Sequence, residues 1–257
     1  MGYKLIDDTG FYKFERLHLS PQEFIDCPPS NRVSTTYIHK GRLLFAFDAK
    51  EFLLSLGQGF IVAPGIGYSL SSVEELVAYR VSSEVRRDRP LVEIVDLGTC
   101  KEEIPLVAPK IITDPKRVEK PWGCELWIGY NNYHVLKRIS KMKGRESSFH
   151  FHRQKVETNY LESGTSNVIE HRLDSTLSIE EIIASAKEKE HEAPRNISSG
   201  DFWTSHPYIA HRVIPLTNYI AYEASTPELD DVIRIQDDFG RGSGRIIEEH
   251  RGGIKNG

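Results

Sequence analysis

The apolar positions of the chain fall in short runs and never in long periodic stretches. Runs at 42–47 (RLLFAF), 59–63 (GFIVA), 76–81 (LVAYRV), 135–139, 158–161 and 218–224 are rich in β-branched and aromatic residues and are bounded by Gly, Pro, Ser or Asn. Runs of roughly four to eight residues at this spacing predict strands of a sandwich or barrel, not βαβ units. Two segments carry a helical signal. Residues 49–56 (AKEFLLSL) read as a short helix or equally as a strand. Residues 178–192 (SIEEIIASAKEKEHE) read as a helix, because Ser178 and Glu181 have capping-box spacing and Ile179, Ile182 and Ile183 form a narrow apolar stripe. Such a helix is expected to be solvated and packed over a barrel edge; a partner-binding helix is the alternative. Prolines at 90, 105, 109, 115 and 121 favour an extended crossing over a helix. The reading is an N-terminal domain at 1–95, a proline-rich connector at 96–117, a C-terminal domain at 118–245 and a frayed tail at 246–257.

Composition narrows the class. The 257 residues are 39% hydrophobic and 27% charged, which supplies a core and excludes wholesale disorder. A net charge of −4, from 33 basic and 37 acidic residues, argues against a nucleic-acid partner. The three cysteines, Cys27, Cys100 and Cys124, lie far apart with no CxxC pair. A disulfide framework or cysteine zinc cluster is therefore not expected, and a reducing compartment is. No run approaches the ~20 apolar residues of a membrane span, and the N-terminus lacks an apolar signal core. Ile6 stands where a myristoylation signal wants Ser or Thr. The expectation is a soluble cytoplasmic protein without a membrane partner.

The chemistry concentrates in the stretch from Gly144 to Gly164, GRESSFHFHRQKVETNYLESG. His150 and His152 are two apart, so on a strand they share a face. A turn before Glu157 could return its carboxylate to the same point. From Gly200 a second run, DFWTSHPYIAH, ends in His211. Three imidazoles and a carboxylate suit a borderline divalent metal such as zinc, manganese or iron.

These residues resemble the first cupin motif, G-x5-H-x-H-x4-E-x6-G, with every spacing met from Gly144 to Gly164. Gly200 and His211 match the second motif, G-x5-P-x-G-x2-H-x3-N, although His206, Tyr208 and Pro215 replace its proline, second glycine and asparagine. The resemblance implies an all-β double-stranded β-helix, or jelly roll, with one metal ion inside the barrel. His150, His152, Glu157 and His211 are the ligands it implies. The flanks VEKPWGCELW (118–127) and DDVIRIQDDFGR (230–241) resemble the entry and exit of mannose-6-phosphate isomerase-type cupins, over about half the chain. That family usually has Gln-x-His where this chain has His150-x-His152. The N-terminal half carries a fainter copy, in YIHKG (37–41) and GFIVAPGIGYSL (59–70), with Ser34 at the glutamate place and Ser69 at the histidine place. The implied architecture is a bicupin whose first barrel has lost its metal, with a short helical insertion.

By resemblance the function is metal-dependent aldose–ketose isomerisation of a sugar or sugar phosphate through a cis-enediol. Zinc or manganese is favoured as the one divalent ion, with iron as a further option. Glu223, among apolar and aromatic neighbours at 218–225, is a surface acid or points into the barrel as a proton shuttle. Lys155 shares the face of Glu157, and a lysine at this place recurs in sugar-isomerising cupins. Lys137 and Arg212, and after them Arg241, are the candidate phosphate-binding residues. Two other classes remain open. One is an iron-dependent dioxygenase whose pocket is lined by Phe149, Phe151, Trp203 and Tyr208. The other is a non-catalytic sugar-binding bicupin. The expected partner is a small molecule, and a homodimer follows by resemblance.

Overall fold

The computed structural model describes residues 2–191 and 193–250. In chain order the first nine strands are β1 (Gly2–Asp8), β2 (Lys13–Leu19), β3 (Phe24–Cys27), β4 (Arg32–Lys40), β5 (Arg42–Phe47), β6 (Lys50–Ser55), β7 (Gly59–Val62), β8 (Tyr68–Ser72) and β9 (Leu76–Glu84). Then come β10 (Val92–Asp96), β11 (Lys101–Pro105), β12 (Lys110–Ile112) and β13 (Lys116–Lys120). The rest is β14 (Gly123–Tyr130), β15 (Val135–Lys141), β16 (Phe149–Phe151), β17 (Glu157–Ser163), β18 (Thr165–Arg172), α1 (Ile179–Ala186), β19 (Arg195–Ser198), β20 (Phe202–Ser205), β21 (Ile209–Pro215), β22 (Tyr219–Ser225), β23 (Ile233–Gln236) and α2 (Ile247–His250). Among the described residues, no helix is long and apolar enough to cross a membrane.

The chain divides into two compact units. The first holds residues up to Val95 with Lys101–Lys116 and Trp127–Lys137; the second holds Asp96–Cys100, Arg117–Leu126 and the chain from Arg138 on. The two large sheets have the orders β1-β2-β9-β4-β7-β12 and β13-β14-β15-β22-β17-β20. Two smaller ones have the orders β3-β8-β5-β6 and β19-β18-β21-β16-β23, and β10 and β11 form a two-stranded sheet. All the pairs with defined register are antiparallel, as a jelly roll requires.

Register shows that the two barrels are copies. Ser34 faces Ser82 and Val62 across β4, β9 and β7, as Glu157 faces Ser225 and Ser205 across β17, β22 and β20. Gly41 and Gly164, each just past those β4 and β17 strands, share one constraint. Both have φ in the left-handed region, +86° and +99°, and a Cβ there would collide with the carbonyl of Glu75 or of Asn218. Cys27 pairs with Tyr68 where His150 pairs with His211. The histidine place of the first barrel is therefore Tyr68, not the Ser69 that counting along the chain indicates.

Local outcomes follow from packing. Within 49–56, Lys50–Ser55 form strand β6 and not a helix, because Asp48 and Ala49 adopt φ of 46° and 57°, the turn of a two-residue hairpin to β5. The 178–192 segment begins with the expected capping box between Ser178 and Glu181. It leaves α-geometry at Ala186, however, and continues as a 3-10 turn over Lys187–His191, where the charged KEKEH run offers no apolar face. Glu192 lies outside the described residues. Ile182 and Ala186 bury against Phe149, Phe151 and Ile235, so α1 covers a barrel face. The 96–117 connector contributes strands β11 and β12, the latter pairing with β7. The expected frayed tail is ordered as far as His250, because Lys120 and Arg241 grip Glu249 at 2.7 and 3.1 Å and His250 Nδ1 lies 2.7 Å from Asp96. Residues 251–257 lie outside the described residues.

Gly164→Ala should cost about 1–3 kcal/mol, the usual size of a strained backbone site, and lower the urea midpoint without changing the slope. Gly144 has φ +69° but open space around it, so Gly144→Ala should cost clearly less. Equal losses from the two variants in urea denaturation would contradict the close-packing account.

Candidate metal centre

The sequence FHFH sits on β16 and its end, where alternation separates two kinds of ring. Phe149 and Phe151 are fully buried on the face toward α1. His150 and His152 take the other face. Strand pairing places His150 directly opposite His211 on β21. The ligand nitrogens of His150, His152 and His211 all lie within 4.8 Å of one another. Nitrogens bound to one ion at roughly 2.1 Å lie no more than about 4.2 Å apart, so these three are near enough to converge on one ion with a small inward shift. Glu157 opens β17 and joins it, with Oε1 3.1 Å from His211 Nε2 and Oε2 3.5 Å from His152 Nε2.

The outer hydrogen bonds decide which nitrogens face inward. His150 Nδ1 donates to Ser148 O at 2.9 Å, His211 Nδ1 donates to Ile209 O at 3.1 Å, and His152 Nδ1 donates to Asp231 O. A carbonyl only accepts, so each Nδ1 carries the proton and each Nε2 presents a lone pair. The Nε2 atoms of His152 and His211 are buried with no hydrogen-bond partner. Neutral imidazole nitrogens and a carboxylate are all acceptors and do not satisfy one another. A divalent cation fits this donor set. Burial first, then the neighbouring imidazoles, holds His150 well below its ordinary pKa. Burial likewise lowers His152, and Lys155 adds to it against the opposing pull of Glu157.

Behind the imidazoles lies a buried charge triad. Lys155 Nζ donates to Glu157 Oε2 and, at 2.9 Å, to Glu223 Oε1. Burial alone would strip the proton from Lys155, but the two carboxylates outweigh it and raise its pKa, so it stays an ammonium. Burial would raise Glu157 too; the ammonium of Lys155 instead holds it well below the usual carboxylate range. Of the two placements open to Glu223, the structure shows the inward one.

The structure brings together His150, His152, Glu157, His211, Lys155 and Glu223. The basic candidates are placed differently. Arg212 neighbours His211 on β21 and so points to the opposite face, where it bonds Ser147 O and Asp238 at 2.9 Å each. Arg241 is gripped by Asp237 at 2.6 Å and by Glu249. Lys137 belongs to the first unit, buried, with its ammonium 5.2 Å over the Trp127 ring. Of the aromatic candidates, Tyr208 packs on Phe151 and Trp203 lies in the core cluster around Leu161 and Val213. Tyr208 replaces the motif glycine yet keeps a glycine-like φ of 60°, with its amide donating to His152 O at 2.8 Å.

Three residues not singled out from the sequence also serve the centre. Asp231 receives the amides of Gln154 and Lys155 at 2.6 and 3.1 Å, fixing the loop between ligands. Asn159 donates to Glu157 at 3.3 Å. Lys141 lies buried 4.6 Å over Trp122, and burial pushes it down to about 7 despite Glu125, Glu157 and Glu223 pulling it up. Only for Asp231, inside the exit segment, was there a sequence signal.

No family model matches the chain, and no curated protein matches its sequence. Solved structures do match its fold. The oxalate decarboxylase–formate complex of Lactobacillus farciminis is 12% identical, with a TM-score of 0.60 over 87% of this chain and 79% of that one. The putative glyoxylate-induced protein of Pseudomonas aeruginosa is also 12% identical, with a TM-score of 0.60 over 87% and 78%. The oxalate decarboxylase of Bacillus subtilis, described with Mn(II) centres, is 10% identical, with a TM-score of 0.57 over 87% and 71%. These likenesses show a cupin-type jelly-roll fold in two barrels.

Two outcomes are expected. His152→Ala and His211→Ala should each abolish stoichiometric manganese or zinc loading, read by elemental mass spectrometry, while circular dichroism stays that of a folded β-protein. Unchanged stoichiometry would refute the ligand set. Lys141 has a folded pKa near 7, below its unfolded value, so the unfolded chain binds more protons above pH 7. Its destabilising contribution is complete below pH 7 and fades as pH rises toward 10. Lys141→Met should therefore raise the urea midpoint most at pH 6.5, and the gain should shrink at pH 9.5.

Proposed function

We propose that this protein is a metal-dependent aldose–ketose isomerase acting on a small sugar. The observation that carries the reading is the buried Lys155–Glu223 pair beside the imidazole cage, a proton acceptor and an ammonium in one enclosed site. A divalent ion held by His150, His152, His211 and Glu157 would supply Lewis acidity toward the sugar oxygens. Manganese is favoured by the Mn(II) centres of the Bacillus subtilis neighbour, with zinc and iron compatible with the same donors.

The chain's own residues then account for the proton movements. Glu223 removes the proton from C2 of the aldose and returns it to C1 of the enediol, so the C2–H bond breaks and a C1–H bond forms with no oxidant consumed. Lys155 orients Glu223 through its 2.9 Å bond; it gives a proton to O1 as the enediol forms and recovers one from the O2 hydroxyl as the ketone forms, so an O1–H bond forms, the O2–H bond breaks and the ammonium is restored. The low dielectric of the site strengthens both interactions. Arg212 projects from the face of β21 opposite the imidazole cage, where it bonds Asp238, and Arg241 is bound by Asp237 and Glu249. This favours a neutral aldose over a sugar phosphate as substrate.

Incubation with mannose, glucose and their 6-phosphates in heavy water, followed by proton NMR, tests the reading. The expected result is deuterium incorporation into a neutral aldose without oxygen uptake. Glu223→Gln should slow exchange by roughly 10²–10⁴-fold, the usual contribution of a positioned acid or base, with metal stoichiometry retained. Oxygen consumption with no exchange would replace the isomerase by the dioxygenase. No turnover of either kind would leave a sugar-binding bicupin.

A further inference from the structure

The register that maps one barrel on the other also shows what replaced the metal centre in the first. Ser34 holds the place of Glu157, Tyr68 that of His211 and Cys27 that of His150. Arg80 pairs with Thr36 on β4 as Glu223 pairs with Asn159 on β17, so Arg80 holds the place of Glu223. Arg32 stands two residues before Ser34, as Lys155 stands two before Glu157. The lysine and two carboxylates of one barrel thus become two arginines and a serine in the other.

These residues line an open cavity of about 310 Å³, within the roughly 300–1,000 Å³ range of small-molecule sites. Arg32, Ser34, Tyr68 and Arg80 face it, with Val62 and Ile66 as apolar wall. The guanidiniums are largely enclosed, at 22% and 14% side-chain exposure. Arg80 is held by Glu15 at 2.8 Å and lies against the Tyr3 ring. Arg32 bonds Ser82 Oγ at 3.1 Å, Ser82 O at 2.6 Å and the exposed Glu84 at 3.3 Å, which uses three of its five donors. Asp26 is the one carboxylate in the lining, against two guanidiniums, while Glu15 and Glu84 bond those guanidiniums from outside it. Burial pushes the Tyr68 hydroxyl up to about 12, which keeps it a neutral phenol at physiological pH.

A cation has no imidazole to bind here and two guanidiniums to repel it. The opposite sign of ligand fits. We propose that the first barrel binds a small organic anion, a carboxylate or phosphate ester, with Arg32 and Arg80 as its counter-charges. Arginine suits either group through paired, charge-assisted hydrogen bonds. The site lies entirely within the first unit and requires no metal.

Isothermal titration of the full chain with phthalate and with glucose 6-phosphate distinguishes the two anion types, and neutral glucose serves as control. Saturable binding of at least one anion, and none of glucose at the same site, is expected. Arg80→Met should weaken that binding at least tenfold. Because Arg80→Met also unpairs Glu15, Ser34→Glu is the second variant. It leaves both arginines in place and supplies them with an internal carboxylate, so it should fold and compete the ligand out. His152→Ala should leave anion binding unchanged. The proposal is overturned if neither anion binds, if binding survives Ser34→Glu undiminished, or if His152→Ala removes it.

Discussion

Successive side chains of a strand point to opposite faces, and in this protein that period of two sorts the chemistry from the packing. On β16 it sends Phe149 and Phe151 to α1 and the two imidazoles to the barrel interior. On β21 it sends His211 inward and Arg212 outward to Ser147 and Asp238. Slipping either strand by one residue would exchange phenyl for imidazole and bury a guanidinium among ligands. The pairing of His150 with His211 is therefore the constraint on which the centre rests, and the apolar cover from α1 is what holds that register.

The interior charges are balanced locally and not by solvent. Lys155 lies between Glu157 and Glu223, while Asp231 and three backbone carbonyls orient the loop and the rings around them. Removing one member of such a set leaves the others buried and uncompensated, which is why these positions are linked in their effects. The first barrel answers the same geometric problem differently. Its arginines are compensated by Glu15, Glu84 and the oxygens of Ser82.

Much of the second barrel was legible because its ligands obey short, strand-based spacings. His150, His152 and Glu157 lie within eight residues of chain, and the capping box of α1 is equally local. What escaped depends on distant partners. A lysine such as Lys141 reveals its unusual acidity only when the folded chain is seen to bury it. Residues 247–250 look like a frayed end until Lys120 and Asp96 arrive from elsewhere in the chain. Motif spacing points to Ser69, but equivalence is decided by hydrogen-bonded pairing, and that selects Tyr68. Arg212 stood beside a ligand in sequence, which on a strand is the one position that turns it away. The AKEFLLSL stretch was ambiguous because its fate was set by a turn at two non-glycine residues with positive φ.

Tyr208 shows how such a barrel can drift in sequence without losing its geometry. A left-handed conformation at a tyrosine carries a steric cost that glycine would not. It is held there by hydrogen bonds that any residue could make, its amide to His152 O and its carbonyl to Leu173 N. The turn is thus specified by backbone connectivity rather than by residue type, and side chains at the signature glycine are free to change once that connectivity exists. Searches that demand the glycine will pass over relatives with the same fold, and the hydrogen bonds around the turn are the more durable mark of common architecture.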